Sequence, residues 1–230
     1  MYGTYDRVFD LSGRCNFGDK EVISAQDNGF TQIVILGAGN DTRLHRISPL
    51  PRHVFEIDAS RTQQYKLKHL PSNHLNKDVT FIPVNFEEES WLERLKQVGG
   101  EEVLQRKTLF IWEGVTYYLT NAAIRETLSL ISQFPSGSRV VFDVCKPSPI
   151  QLKFFNFALG FVGEPWLSPL DETSLQPILS DCGLQLDGNL QIAASFARHS
   201  VDPALDSKIR YPDYSAFSSP LMLAAANVVK

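Results

Sequence analysis

Cysteine is scarce in this chain. Only Cys15, Cys145 and Cys182 occur among its 230 residues, and they lie too far apart for a metal-ligating spacing. That excludes the disulfide framework of a small secreted domain and fits reduced thiols in a cytosol-like compartment. No basic tract stands out: Lys and Arg number 22 against 26 Asp and Glu, for a net charge of −4, so the electrostatic footprint of a nucleic-acid binder is missing. No apolar run reaches membrane-spanning length, and Met1 to Arg7 lacks the basic-then-apolar pattern of a secretory leader, so the expected address is cytoplasmic. Nor is there an internal repeat, a low-complexity stretch or a linker long enough to divide the chain; residues 1–230 read as one domain. No Ser-His-Asp or Cys-His arrangement and no metal-ligand cluster stands out, so the expected metal complement is none.

What is present centres on Ile33 to Asp58. Ile33-Val34-Ile35-Leu36 is a continuous apolar, mostly β-branched run, the pattern of a strand buried on both faces. Gly37-Ala38-Gly39-Asn40-Asp41-Thr42-Arg43 follows, with two glycines that permit a sharp turn and close approach of a ligand to the backbone. Then comes Val54-Phe55-Glu56-Ile57-Asp58, a second strand with an acid at its tip, where a nucleotide-binding α/β sheet holds a ribose. A dinucleotide site carries a third glycine, G-x-G-x-x-G; here that position is Thr42, which disfavours a nicotinamide oxidoreductase.

Along the chain, residues 1–15 read as irregular and Asn16 to Gln26 as a helix with Val22, Ile23 and Ala25 inward. Further helices are expected over 41–47, 60–70, 87–98, from Thr120, and over 168–182. Further strands are expected over 79–84, 108–112, 140–144, 191–196 and 221–229. Strands alternating with helices predict an α/β fold, a parallel sheet with helices on both faces and its ligand off the carboxyl ends of the strands. Those ends carry Gly37, Gly39, Asp58, Asn85, Glu113 and Asp143. The aromatic stretch Phe154 to Phe161 reads as core, compatible with a pocket wall.

Three motifs occur in order: Gly37-Ala38-Gly39-Asn40-Asp41-Thr42-Arg43, then Phe55-Glu56-Ile57-Asp58, then Glu113-Gly114-Val115-Thr116-Tyr117-Tyr118-Leu119. Together they resemble the leucine carboxyl methyltransferase superfamily, which includes many small-molecule O-methyltransferases of secondary metabolism. The resemblance covers residues 31–145 well. It implies a Rossmann-like class I methyltransferase fold, a mostly parallel seven-stranded sheet with an antiparallel last strand, and S-adenosyl-L-methionine as cofactor. It places Gly37, Ala38, Gly39 and Asp41 of the turn, with Glu56 and Asp58 of the second strand, around that cofactor. Asp58 would take the ribose hydroxyls, and Asn85-Phe86 would hold the adenine where the family has Asp-Leu. Arg14 would meet the cofactor carboxylate, and Glu113 would lie near its amino group or the sulfonium. Arg43 and Asp41 read equally as a structural pair that fixes the turn.

The resemblance implies an O-methyltransferase acting by in-line displacement on a hydroxyl or carboxylate of a small molecule, governed by positioning. Glu113 and Tyr117 are the catalytic candidates, with Asp143 and His199 as further candidate bases. Residues 1–30 would form a cover shorter than the family's, and 146–182 a lid or substrate wall. Two alternatives stand: a carboxyl methyltransferase acting on a protein C-terminus, and an S-adenosylmethionine-binding protein without catalysis, motivated by Asn85 and the short cover. The expected partner is a small-molecule methyl acceptor, with no nucleic acid and no membrane.

Overall fold

The computed structural model describes residues 4–86, 88–147, 167–193 and 221–229, the side chains of 4–10 excepted. Helix α1 (Thr4–Ile23) leads into strand β1 (Gln32–Leu36), followed by α2 (Arg43–Arg46), β2 (His53–Asp58), α3 (Ser60–His69), β3 (Val79–Pro83) and α4 (Trp91–Gly99). Then come β4 (Thr108–Trp112), a 3₁₀ turn at Thr116–Tyr118, α5 (Asn121–Ile131), β5 (Arg139–Cys145), α6 (Glu172–Asp181), β6 (Leu184–Leu186), β7 (Gln191–Ile192) and β8 (Leu221–Val228). The strands form one sheet in the order β3-β2-β1-β4-β5-β8-β6, with the two-residue β7 also paired to β8. Strands β1 to β5 run parallel and β8 is antiparallel to β5.

The period of two decides what each residue faces. On one side Val34, Leu36, Phe110, Trp112, Val140 and Phe142 join Trp91, Leu92, Leu95, Ile124, Leu128 and Leu175, so α4, α5 and α6 cover that face. On the other, Ile33, Ile35, Leu109, Ile111 and Val141 join Phe17, Val22, Ala25 and Leu44, so α1 and α2 cover it. Both faces are buried, which is why strands β1 and β4 are apolar after their first residues, Gln32 and Thr108, whose side chains bond to each other.

Several expectations shift. The N-terminal helix is continuous from Thr4 to Ile23, where residues 1–15 read as irregular; Val22 and Ala25 face inward, but Ile23 is exposed. Its polar residues are spent on distant partners, so no local amphipathic period announces it. Helix α4 starts at Trp91, because Ser90 accepts a hydrogen bond from the Glu93 N–H and caps it there; Glu87 lies outside the described residues. Thr120 caps α5 as its sequence position predicts, accepting from the Ala123 N–H. Strand β6 has only three residues and went unread, and helix α6 is shorter than 168–182. The expected strand 191–196 is observed over Gln191–Ile192, and residues 194–196 lie outside the described residues. The Phe154–Phe161 stretch and His199 also lie outside them, as does most of the expected lid. Among the described residues, no helix is long and apolar enough to cross a membrane, and no group of metal-ligating side chains assembles.

Candidate active site

Register builds the site. Leu36 pairs with Ile57, so Gly37 lies level with Asp58; Ile35 pairs with Ile111, so Gly37 is also level with Glu113; Trp112 pairs with Phe142, so Glu113 is level with Asp143. Asp58, Gly37, Glu113 and Asp143 thus form one row along the carboxyl edge of β2, β1, β4 and β5. The alternation that buries Val54, Ile35, Ile111 and Val141 beneath the α1 face carries the three acids of the row to that same face.

The turn after β1 is tied to the tip of β2. The N–H groups of Gly37 and Ala38 both donate to the Ile57 carbonyl, at 2.9 and 3.2 Å. Asp58 Oδ2 accepts from the Gly39 N–H at 2.5 Å and Oδ1 from the Ala59 N–H at 2.6 Å, with the carboxylate partly open to solvent. Gly37 holds φ at 68°, and a Cβ there would lie 2.7 Å from Val115 Cγ2, so both the turn and the packing require glycine. Asp41 Oδ1 accepts from the Arg43 N–H at 2.8 Å.

The other half of the row is a buried charge cluster. Arg14, from α1, places Nη1 3.0 Å from Asp143 Oδ2 and 3.4 Å from the Tyr117 hydroxyl, with Nε 4.0 Å from Glu113 Oε2. Asp143 is fully buried, and its Oδ1 accepts from the Gly114 N–H at 2.8 Å. Arg43, only 2% exposed, donates from Nη2 to Glu113 Oε2 at 2.8 Å. Its Nε lies 3.1 Å from Asp41 Oδ2 and 3.5 Å from Asp19 Oδ1, off the hydrogen-bonding line to either. Helix α1 thus contributes one arginine and one acid to a site formed mainly by strand ends.

Burial sets the protonation of this cluster. It pushes Glu113 up to about 7, against the opposing pull of Arg43. It also raises Asp143, offset by Arg14 and the Gly114 N–H, and raises Tyr117 well above an ordinary phenol, with Asp143 adding to the effect. Burial works against both arginine charges, but the neighbouring acids outweigh it and hold Arg14 and Arg43 firmly protonated. The two partners of the Arg43–Glu113 pair therefore lean in different directions. Arg43 stays charged in either case, so the proton that can move is the one on Glu113.

Glu56 stands apart from the row, one step deeper on β2. It is buried, with Oε2 2.6 Å from Lys66 Nζ and Oε1 3.2 Å from His45 Nε2 but off the hydrogen-bonding line to it, so its carboxylate faces an internal cluster rather than the glycine turn. Asn85 and Phe86 follow β3; the Asn85 N–H donates to Glu89 Oε2 and the Phe86 ring is exposed. Phe86, Gly37, Trp91, Trp112 and Val115 line a mostly apolar cavity of about 170 Å³ beneath the turn. Asp19 and Gly18 were not read as site residues. Gly18, four positions after Arg14 and so one turn along the same helix face, was the available signal, hidden while residues before 16 read as irregular.

Three kinds of comparison with known proteins agree. The family model described as leucine carboxyl methyltransferase matches residues 8–132. Two bacterial proteins bear the name "Putative S-adenosyl-L-methionine-dependent methyltransferase". That of Streptomyces avermitilis is 28% identical over 167 residues, 71% of this chain and 58% of its own length. That of Frankia alni is 24% identical over 217 residues, 87% of this chain and 70% of its own length. The fold matches an O-methyltransferase family protein from Burkholderia thailandensis at a TM-score of 0.60, with 13% identity, covering 98% of this chain and 59% of that one. It also matches human N-acetylserotonin methyltransferase in complex with S-adenosylmethionine at 0.57, with 12% identity, covering 93% and 52%. The chain thus spans little more than half the length of several proteins it matches.

Proposed function

The chain belongs to the leucine carboxyl methyltransferase family, and from that premise we propose that it binds S-adenosyl-L-methionine along its carboxyl-edge row and transfers the methyl group to an oxygen of a small molecule. The observation that carries this reading is the row itself: Asp58, Gly37 and Glu113 level with one another at adjacent strand ends. The residues fit the cofactor. A carboxylate open to solvent at Asp58 suits a ribose diol, and Gly37 leaves the backbone approachable. Arg14 and Glu113 offer opposite charges to an amino acid's carboxylate and ammonium, and Glu113 Oε1 is buried without a hydrogen-bond partner. The apolar cavity beside Phe86 suits a purine, with Asn85 adjacent to accept from its amino group.

S-adenosylmethionine supplies a methyl group on a sulfonium, with a thioether as leaving group. What remains for the chain is to hold acceptor oxygen and methyl carbon close and in line. A carboxylate acceptor is already ionised, and a hydroxyl acceptor must give up a proton. Tyr117, kept protonated by burial, serves as a hydrogen-bond donor that orients the acceptor. Asp143 is committed to Arg14 and Gly114, so it anchors rather than abstracts. The O-methyltransferase among the fold's likenesses supports an oxygen acceptor; the family's own description supports a carboxylate, including a protein C-terminus, as the second reading.

Calorimetric titration with S-adenosylhomocysteine and with NAD tests the cofactor; binding of NAD alone would reverse the assignment. Methyl release from labelled S-adenosylmethionine over a panel of phenols, carboxylic acids and C-terminal peptides identifies the acceptor. Turnover with peptides only would replace the first reading by the second, and no turnover with any class alongside tight cofactor binding would leave a binding protein.

A further inference from the structure

The Arg43 side chain is almost completely buried. It enters from the glycine turn, is 2% exposed, and is held between Asp19 of α1, Asp41 of the turn and Glu113 at the end of β4. Its Nη1 and Glu113 Oε1 are both buried without hydrogen-bond partners. Both lie where a Cβ on Gly18 would collide with them, so α1 seats directly on the pair because that position is glycine. Here one oxygen of Glu113 is fixed by Arg43 while the other stays unspent.

We propose that Arg43 is a positioning residue for the cofactor's amino-acid end, fixing the Glu113 carboxylate in place to receive the ammonium group without touching the cofactor itself. The proposal rests on the cofactor reading above. Among the described residues, the charged or titratable groups that surround Glu113 are Arg14, Cys15 and Asp19 from α1, Asp41 from the turn, Arg43 at the start of α2, Tyr117 from the 3₁₀ turn and Asp143 from β5. Of the two cations nearest Glu113, Arg14 is 4.0 Å away and bound to Asp143, so Arg43 is the one that holds it. Without Arg43 the burial that already favours neutral Glu113 goes unopposed on that side, and the acid would keep its proton at neutral pH.

The test is calorimetric titration of the full chain with two ligands across pH, in buffers of different ionisation enthalpy so that released protons are counted. S-adenosylhomocysteine carries the amino-acid end; 5′-methylthioadenosine lacks it. For the native chain, S-adenosylhomocysteine affinity should fall about tenfold per pH unit below about 7, with close to one proton released on binding there, while 5′-methylthioadenosine affinity stays flat. Arg43→Met should move that break upward by about one unit or more, weakening S-adenosylhomocysteine about tenfold at neutral pH with recovery in alkali, and leave 5′-methylthioadenosine unchanged. Arg43→Lys should fall between the two. In turnover, the loss should appear in the KM for S-adenosylmethionine before kcat.

Unchanged pH breaks in both variants would overturn the proposal. Equal weakening of both ligands would also overturn it, because Arg43 would then support the fold alone. If Arg43→Met does not fold, the lysine variant carries the same comparison. Failure of the native chain to bind either ligand would sink the cofactor reading instead.

Discussion

Asp58 and Glu113 are carboxylates level with Gly37, one on each side of it, and they live in different electrostatic worlds. Asp58 is partly open to water and accepts two backbone N–H groups, from Gly39 and Ala59. Its charge is met by dipoles that the turn supplies whatever the side chains are. The Glu113 side chain is only 8% exposed, has Arg43 against one oxygen, and is pushed up to about 7. Its charge depends on side chains from α1 and the turn. The difference teaches that one row of acids can offer two environments: on the proposed reading, a hydrogen-bond acceptor for a neutral diol and a carboxylate of raised pKa for a cation. Backbone donors suit the first because they cannot titrate; an arginine in a dry pocket suits the second because it sets the proton balance.

Removing the partly open acid breaks the comparison most severely. Asp58→Ala deletes charge-assisted hydrogen bonds worth about 1.5–3 kcal/mol each, so S-adenosylhomocysteine affinity should fall by about a hundredfold or more by calorimetry. An unchanged affinity would mean that the ribose lies elsewhere.

The buried acid acts on stability with the opposite sign to its effect on binding. Glu113 is raised from the ordinary carboxylate value of 4.5 to about 7, so the fold holds its proton more tightly than the unfolded chain does. The ligand-free chain should therefore be most stable below about 4.5 as far as this group is concerned. It should lose on the order of 3 kcal/mol from that source as pH rises from about 4.5 through about 7. Denaturant midpoints across pH for the native chain and Glu113→Gln should diverge over that window, with the glutamine variant flatter.

Between the two acids, Gly37→Ala tests the turn that joins them. A φ of 68° and a Cβ 2.7 Å from Val115 should cost about 1–2 kcal/mol, read as a lowered thermal midpoint, with cofactor binding lost alongside. The smallest effect belongs to a pair of the same chemistry on the surface. Arg125 and Asp181 meet at 2.9 Å but are 43% and 62% exposed, so Asp181→Asn should change stability by about 0.5 kcal/mol or less. A larger loss there would blur the contrast between buried and exposed carboxylates.

How much of this could be read beforehand follows the locality of the cause. Strands β1, β4 and β5 are legible in Ile33 to Leu36, Thr108 to Trp112 and Val140 to Val144, because burial on both faces writes itself into consecutive residues. The row of acids follows from where those runs stop. The second half of helix α1 was legible, but its first half, before Asn16, was not, since a residue such as Arg14 is chosen for Asp143, far along the chain. Gly13 and Gly18 also lower its helix propensity. The surroundings of Glu56 were not legible from its strand: it shares a face with Asp58, but one pleat deeper it meets Lys66 and His45. Strand β6 is too short to carry a pattern and exists only because β8 is there to pair with it.

Strand β8 imposes an order of events during synthesis. It comes last in the sheet's sequence, over Leu221–Val228, yet it lies between β5 and β6, with Leu223 opposite Asp143. The half of the row that holds Asp58 and Gly37 pairs within residues 32–58, so it is complete soon after those residues leave the ribosome. The half anchored by Asp143 keeps a bare strand edge until residue 228 has emerged, about 10 seconds later at typical elongation rates. Through that interval β5 presents unpaired backbone to any neighbouring chain, and shielding that edge during translation becomes a condition for reaching the native state.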